Sequence, residues 1–382
     1  MMKKFTAGFL VSALCAALCV FFWHAAVSWK SAADNRAKNL PVSDIYSQVY
    51  PQTDDIAGMS DFREADDENP LKTGADSCHY PGQNDKRFCV YQDGLPLKNF
   101  PDLNAAIGFA HWRVNCEVYE SGLSVCVWDN CPPFAVYSAD DPDRNYAGFG
   151  SFPEAIRYAQ RIGPSFIYFR KNASCVWQNA APLTGRASIA APEIPQNPEL
   201  PRGCEVTSLA MLLHYFGINA DKMELAGKIS KNDAAYEVVD GAVHYGDPND
   251  GFVGDIYSTS GMGLGVYHGP VFRLLAEYAP RTAMDLTGCE FADLLFLLEN
   301  GAPVWVIVNA AYEALPASDF LTWQTAGGPI KVTYSEHSVL VTGYDDKYVY
   351  FNDPLGIAGK ARRAGFIAAW EQMGRQAVAC AP

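Results

Sequence analysis

Between Phe88 and Asn179 the chain passes twice through the same three landmarks, and a segment that repeats itself at such a period is expected to fold as two like units. The first pass reads Phe88-Cys-Val-Tyr91, Phe100-Pro-Asp-Leu-Asn-Ala-Ala-Ile107 and Cys126-Val-Trp-Asp-Asn130. The second reads Phe134-Ala-Val-Tyr137, Phe152-Pro-Glu-Ala-Ile156 and Cys175-Val-Trp-Gln-Asn179. The offsets of 46, 52 and 49 residues differ only as loop insertions allow. Each copy predicts a short strand, a helix and a hairpin that ends in the Trp strand. In the second copy Phe152, Ile156 and Ala159 recur at helical spacing, and Ser165-Phe-Ile-Tyr-Phe169 is rich in β-formers. What the copies share is apolar and aromatic, so core packing explains it better than a sugar-binding aromatic platform. His79 and His111 fall here without carboxylate or cysteine partners in a recognisable motif and read as structural or surface residues. The duplicated module is placed at residues 78–180.

Ahead of it, Lys3 and Lys4 precede an apolar run from Phe5 to Val27, about the length that crosses a bilayer. Residues 1–28 are read as an uncleaved signal-anchor or as a cleaved signal peptide, for which Ala26 and Ser28 suit a cleavage site. Either way the rest of the chain is expected outside the cytoplasm. Residues 29–77 are polar and acidic, with Ala-Asp-Asp-Glu-Asn-Pro at 65 to 70, and read as a tether. Acidic residues outnumber basic ones 43 to 29, a balance that repels phosphate backbones and argues against nucleic acid as a partner. With 382 residues, two to three domains are expected.

Cysteine usage fits export. Apart from Cys15 and Cys19 in the apolar run, nine cysteines remain, and an odd number in an oxidising compartment implies disulfides plus one thiol kept free. Buried reduced thiols are the alternative. Cys78, Cys89, Cys116, Cys126, Cys131 and Cys175 form an even set in the module, which leaves Cys204, Cys289 and Cys380. No Cys-x-x-Cys pair or Cys/His cluster at zinc spacing occurs, and neither a metal nor a cofactor is expected.

An Ala- and Pro-rich linker, residues 181–193, separates the module from a second domain at 194–382. There Pro201-Arg-Gly-Cys-Glu-Val-Thr-Ser-Leu-Ala-Met-Leu-Leu-His-Tyr-Phe-Gly217 predicts a helix with Val206, Leu209, Leu213 and Phe216 on a stripe and Gly217 as its stop. Cys204 then opens the helix, where unpaired N–H groups favour thiolate; a buried small hydrophobe is the competing role. Of the possible bases, His214 lies ten residues along the same helix, about 15 Å from Cys204. His244 and His268 fall in Gly-rich loop sequence with exposed polar roles. His337 is better placed. Glu336-His-Ser-Val-Leu-Val-Thr-Gly-Tyr344 and Tyr348-Val-Tyr-Phe-Asn-Asp-Pro354 predict a hairpin turning at Asp345, which sets His337 and Asp353 at the same open end. A carboxylate there orients the imidazole, although Asp353 also suits a turn before Pro354. Cys, His and Asp make a workable nucleophile, base and orienter.

Four stretches carry a family resemblance: Ile194-Pro-Gln-Asn-Pro-Glu-Leu-Pro-Arg-Gly-Cys-Glu-Val-Thr-Ser-Leu-Ala-Met-Leu-Leu213, Gly246-Asp-Pro-Asn-Asp-Gly-Phe-Val-Gly-Asp255, Asn300-Gly-Ala-Pro-Val304, and Glu336 to Tyr344 with Asn352-Asp-Pro354. Residues 194 to 356 resemble the stand-alone, exported relatives of the bacteriocin double-glycine leader peptidases, papain-like cysteine peptidases. The resemblance implies an α+β fold, a papain-like domain preceded by the duplicated small α+β module. It makes Cys204 the nucleophile, His337 the base, Asp353 the orienter and Gln196 an oxyanion donor beside the Cys204 N–H. Gln196 stands eight residues before the cysteine, a longer spacing than the leader peptidases use. Those enzymes are parts of ATP-driven exporters, whereas no Walker-type phosphate loop occurs here, so leader processing during export is not implied. With Cys204 reserved for chemistry, Cys289 and Cys380 are expected to form a bridge. The Asp247–Asp255 segment lacks the acidic spacing of a calcium loop and reads as a turn packed by Phe252. Tyr257, Met262, Tyr267 and Trp323 are groove or core residues. Asn172-Ala-Ser174 matches a glycosylation acceptor, to which the bacterial context gives no function.

The expected activity is thiol hydrolysis of a peptide or amide bond in a peptide or protein substrate. The alternatives are a non-catalytic papain-like surface protein that binds a peptide or partner, and a cell-wall amidase acting on cell-wall peptide. The membrane enters only through the N-terminal helix if it stays uncleaved.

Overall fold

The computed structural model describes residues 87–92, 95–120, 126–140 and 147–382. The apolar run at 1–28, the tether at 29–77, Cys78 and His79 lie outside them. No helix among the described residues is long and apolar enough to cross a membrane. The chain divides into two compact units, one ending at Cys131 and the other running from Pro132 to Pro382.

In the first unit, β1 (Phe88–Gln92), β2 (Leu95–Phe100), α1 (Leu103–His111), β3 (Cys116–Glu120) and β4 (Cys126–Asp129) form a sheet of order β2-β1-β3-β4. Alternation supplies its core: Phe88, Val90, Cys116 and Val118 point to Ala106 and Ala110 on the helix. Asp102 caps α1 by accepting from the Ala105 N–H at 2.9 Å.

The second unit opens with β5 (Phe134–Ser138), β6 (Ala147–Phe149), α2 (Phe152–Ile162), β7 (Ser165–Phe169) and β8 (Ser174–Gln178), in a sheet of order β6-β5-β7-β8. Both segments thus run strand, strand, helix, strand, strand. The extra strand before each helix follows the first landmark as a hairpin partner, which the aligned landmarks do not reveal. Asn130 and Asn179 act alike. Each accepts at 2.7 Å from the backbone N–H of the residue that opens the third strand, Cys116 and Ser165 respectively.

The remaining strands are β9 (Ala187–Ser188), β10 (Lys231–Asn232), β11 (Glu237–Val239), β12 (Ala242–His244), β13 (Phe252–Val253), β14 (Ala283–Asp285), β15 (Val304–Asn309), β16 (Leu321–Thr325), β17 (Gly328–Val332), β18 (Glu336–Tyr344), β19 (Tyr348–Asn352), β20 (Lys360–Arg362) and β21 (Ala377–Cys380). The helices are α3 (Cys204–Tyr215), α4 (Lys222–Lys228), α5 (His268–Tyr278), α6 (Phe291–Glu299) and α7 (Arg363–Gln372). A seven-stranded antiparallel sheet runs β14-β21-β15-β18-β19-β20, with β9 added on β18. A smaller sheet, β11-β12-β16-β17, lies outside it.

The large sheet is buried on both faces, which is why β15 is an unbroken apolar run, Val304-Trp-Val-Ile-Val308, with no polar alternation. Val304, Val306 and Val308 pack with α6, α7 and, from the second module, Phe134, Phe152, Ile167 and Trp177. Trp305 and Ile307 pack on the opposite face with Leu209 and Leu213 of α3 and Leu274 of α5. The second module is therefore built into the same core as the sheet. Trp177 marks the junction, its indole N–H donating to Asp293 Oδ1 at 3.1 Å.

No disulfide joins two of the described cysteines. The expected Cys289–Cys380 bridge does not form, and strand parity is the reason. Ala377 and Ala379 of β21 face the core that holds Cys289, whereas Val378 and Cys380 face the core of α3. Both thiols are buried, 3% and 0% exposed, on opposite sides of the sheet. Burial pushes both above the ordinary thiol range.

Candidate active site

Helix α3 begins at Cys204 and ends where Gly217 takes a φ of +75°. Every residue from Cys204 to Leu213 is buried, so the helix has no solvent face and the expected apolar stripe is instead a fully enclosed rod. Cys204 is 8% exposed. Its thiol donates to Glu205 Oε2 at 3.2 Å. The helix lies along β18, where the Ser208 hydroxyl donates to the Ser338 carbonyl at 3.1 Å and the Ser338 backbone also bonds the Cys204 sulfur. Cys204 therefore sits against the strand residue that follows His337.

His337 is 2% exposed and its Nε2 lies 2.8 Å from Asp353 Oδ1. The hairpin expectation holds in its geometry: β18 and β19 pair with Leu340 opposite Asn352, and a register shift between Val341 and Gly343 slides His337 and Asp353 into diagonal contact. Asp353 has a side chain 1% exposed, yet it accepts five hydrogen bonds. Oδ1 takes His337 and the Leu355 N–H at 2.8 Å; Oδ2 takes the Tyr312 hydroxyl at 2.8 Å and the Ile357 and Ala358 N–H groups at 3.2 Å. The two competing roles for Asp353, turn former and imidazole partner, are thus filled by one carboxylate. Burial alone raises such a group, but the His337 ring, the Leu355 N–H and the Tyr312 hydroxyl outweigh it and hold Asp353 at about 2.

Cys204 departs from the expected thiolate. Burial pushes its thiol well above the ordinary range, and the carboxyls of Glu205 and Glu336 push the same way; the Ser338 backbone opposes them more weakly. The helix N-terminus does not overcome removal from water in this state. With Nε2 of His337 taken by Asp353, Nδ1 is the ring atom left for proton exchange.

Gln196 is 2% exposed, with its backbone N–H on the Pro354 carbonyl at 2.8 Å. Its side-chain amide donates to the carbonyls of Leu200 and Pro201, both at 3.1 Å, and its Oε1 is buried without a partner among the described residues. Both N–H groups therefore brace the loop before Cys204 in this state.

Two further histidines lie in regular elements rather than in loops. His244 closes β12 and is exposed. His268 opens α5, and its Nδ1 is 3.0 Å from Asp285 Oδ2. His268 also lines a cavity of about 270 Å³ with Asn249, Lys331 and Gln376, and neither Cys204, His337 nor Asp353 is part of its lining. Trp323 and Tyr267 are core, 0% and 7% exposed, whereas Tyr257 and Met262 are on the surface. Asn172 turns its amide to the Pro382 carbonyl at 3.3 Å.

Three residues of the site carry no signal in the motifs above: Tyr312, Glu205 and Glu336. The last two flank Cys204 and His337 in sequence and meet in space. Among the described residues one group has the composition of a metal-ligand set, Cys204, Glu205 and Glu336, with donor atoms within 4.8 Å of one another. Two of its three members are already engaged with each other through the thiol hydrogen bond.

Residues 188–378 match the model of the Peptidase_C39 like family. The chain belongs to that family. The uncharacterized protein YvpB of Bacillus subtilis (strain 168) is 50% identical over 182 residues, spanning 47% of this chain and 70% of YvpB. A crystal structure of a candidate C39-like peptidase from Bacillus anthracis is 46% identical, with a TM-score of 0.48, over 52% of this chain and 98% of that one. The family match covers Cys204, His337 and Asp353 with most of the large sheet, from Ser188 in β9 to Val378 in β21, and begins after β8.

Proposed function

We propose that this C39-like family member is a cysteine peptidase-type hydrolase whose triad is Cys204, His337 and Asp353. The observation that carries the reading is the sealed 2.8 Å contact between His337 Nε2 and Asp353 Oδ1, beside a cysteine that opens a helix. Asp353 fixes the orientation of the ring. His337 Nδ1 takes the Cys204 proton as the sulfur attacks the carbonyl carbon of a peptide or amide bond. The same proton then passes to the leaving amine, the C–N bond breaks, and an acyl-sulfur intermediate remains. Water, deprotonated by His337, releases the acid and restores the thiol. The Cys204 N–H is a donor for the oxyanion, and Gln196 joins it once its amide leaves the Leu200 and Pro201 carbonyls.

The substrate class is a peptide or protein, with cell-wall peptide as the narrower form. With residues 1–28 as its export signal, the hydrolase works outside the cytoplasm, tethered or released. A non-catalytic binding role has one observation in its favour, the thiol bonded to Glu205 rather than poised on the imidazole.

The test is hydrolysis of a peptide library and of purified peptidoglycan by the full chain and by Cys204→Ala. Turnover that disappears in the variant while its thermal midpoint is unchanged supports the assignment, and the cleaved material names the substrate. Equal turnover by both proteins overturns Cys204 as the nucleophile, and none by either against both substrates overturns the assignment in favour of the binding role.

A further inference from the structure

Glu205 and Glu336 are acids in a place that should reject them. Glu205 is 0% exposed, on a helix enclosed on every side. Its Oε1 accepts from the Val266 N–H at 2.6 Å and its Oε2 from the Cys204 thiol. Glu336 has a buried Oε1 with no partner among the described residues. No Lys or Arg among the described residues forms an ion pair with either acid. Gly265 makes room for the two to converge: a Cβ there would overlap Glu205 Oε1 and sit 2.9 Å from Glu336 Oε2.

Two carboxylates this close, with no Lys or Arg among the described residues paired to either and with Glu205 fully buried, strongly disfavour double ionisation, so one proton stays between them. We propose that Glu205 and Glu336 are positioning residues for Cys204, a carboxyl pair that keeps one proton at neutral pH and uses Glu205 to hold the sulfur in its thiol form. The inference rests on Cys204 being the nucleophile. The titratable groups facing the pair are Cys204 on α3 and Tyr267 ahead of α5, whose hydroxyl feels both acids and Asp247, while His337, next to Glu336 on β18, points to the other face of the strand. Tyr312 and Asp353 form the next layer, on the far side of His337. Burial raises both acids, and Glu205 raises Glu336 further, in keeping with the shared proton.

The experiment uses the full chain and needs no substrate, so it stands apart from the turnover assay above. Infrared difference spectra of wild type minus Glu336→Gln at neutral pH are expected to show a protonated carboxyl C=O band. Thiolate absorbance against pH, corrected with Cys204→Ala, is expected to have its midpoint alkaline of an ordinary cysteine. In Glu205→Gln that midpoint should move toward acid by about one unit or more, roughly tenfold more thiolate at a fixed pH. Glu336→Gln, at a residue with an oxygen already unpartnered, serves if Glu205→Gln fails to fold. A merely structural role would lower the thermal midpoint and leave the thiolate midpoint in place. That result, or the absence of the protonated carboxyl band in the wild type, overturns the proposal.

Discussion

Replacing Asp353 with Asn removes a single charge from a place where the structure has stacked five donors around it. The folded carboxyl is depressed from 3.8 to about 2, a shift of about 1.8 units, and each unit corresponds to about 1.4 kcal/mol. The side chain is 1% exposed but the turn that carries it is partly open to solvent, so screening makes the figure an upper bound. Because the folded pKa lies below the unfolded one, the stabilisation is present above the unfolded value and is lost as pH falls through about 2. Integrated between pH 5 and pH 2, the linkage amounts to about 2 kcal/mol. Urea unfolding of the wild type and of Asp353→Asn, followed by tryptophan fluorescence at several pH values, reports this carboxyl together with the His337 ring bonded to it, while titrations away from that pair cancel in the difference. The gap should be widest near pH 5 and should narrow by about 2 kcal/mol toward pH 2. A gap independent of pH would mean that Asp353 is not held ionised by its donors, and the account of His337 orientation would go with it.

Three further outcomes follow from single contacts. Tyr312→Phe removes one of the five donors to Asp353, so stability at neutral pH should fall by about 1 kcal/mol and the acid loss should begin at higher pH, read by the same urea series. Trp177→Phe leaves Asp293 Oδ1 without its indole partner at the junction of the second module and α6; thermal unfolding should report a loss of about 1–3 kcal/mol. Gly343→Ala drives a methyl onto the Ala187 carbonyl and to within 3.2 Å of Ser188 Cα, so β9 must leave β18; amide exchange should rise across residues 187–189, with a loss of about 1–3 kcal/mol.

The features legible in the chain were those carried by local periodicity. Helix α3, the β18–β19 hairpin and the meeting of His337 with Asp353 all follow from spacing within one element or across one turn. The papain-like α+β expectation for residues 194–382 is met by a mixed sheet-and-helix fold. Long-range matters were not legible. Counting cysteines paired Cys289 with Cys380, because a count carries no information on which face of β21 a side chain occupies. The helix N-terminus pointed to a thiolate at Cys204, because the dipole is visible in sequence and the depth of burial is not. Trp177 read as module core, yet its indole N–H reaches a helix that begins more than a hundred residues later. Glu205 has the sequence position of a first-turn acid that complements the helix dipole, and only the packing of α3 on β18 brings it to Glu336.

The site contrasts two buried acid environments on either side of the same strand residues, and counting donors decides which acid is charged. Asp353 is almost wholly buried and meets five donors, and it is ionised. Glu205 is more deeply buried and meets one backbone N–H and a thiol, while Glu336 has one oxygen with no donor among the described residues; these two are pushed toward the neutral form. Removal from water pushes all three toward the neutral form, and the number of donors decides how far that push is opposed. The difference lies in the turn after β19, whose Leu355, Ile357 and Ala358 N–H groups converge on Asp353 because Gly356 follows the Asp353 turn with a φ of +68°. The local chain thereby fixes a full negative charge on the outer side of His337, 2.8 Å from its Nε2. On the inner side the acid pair disfavours a thiolate.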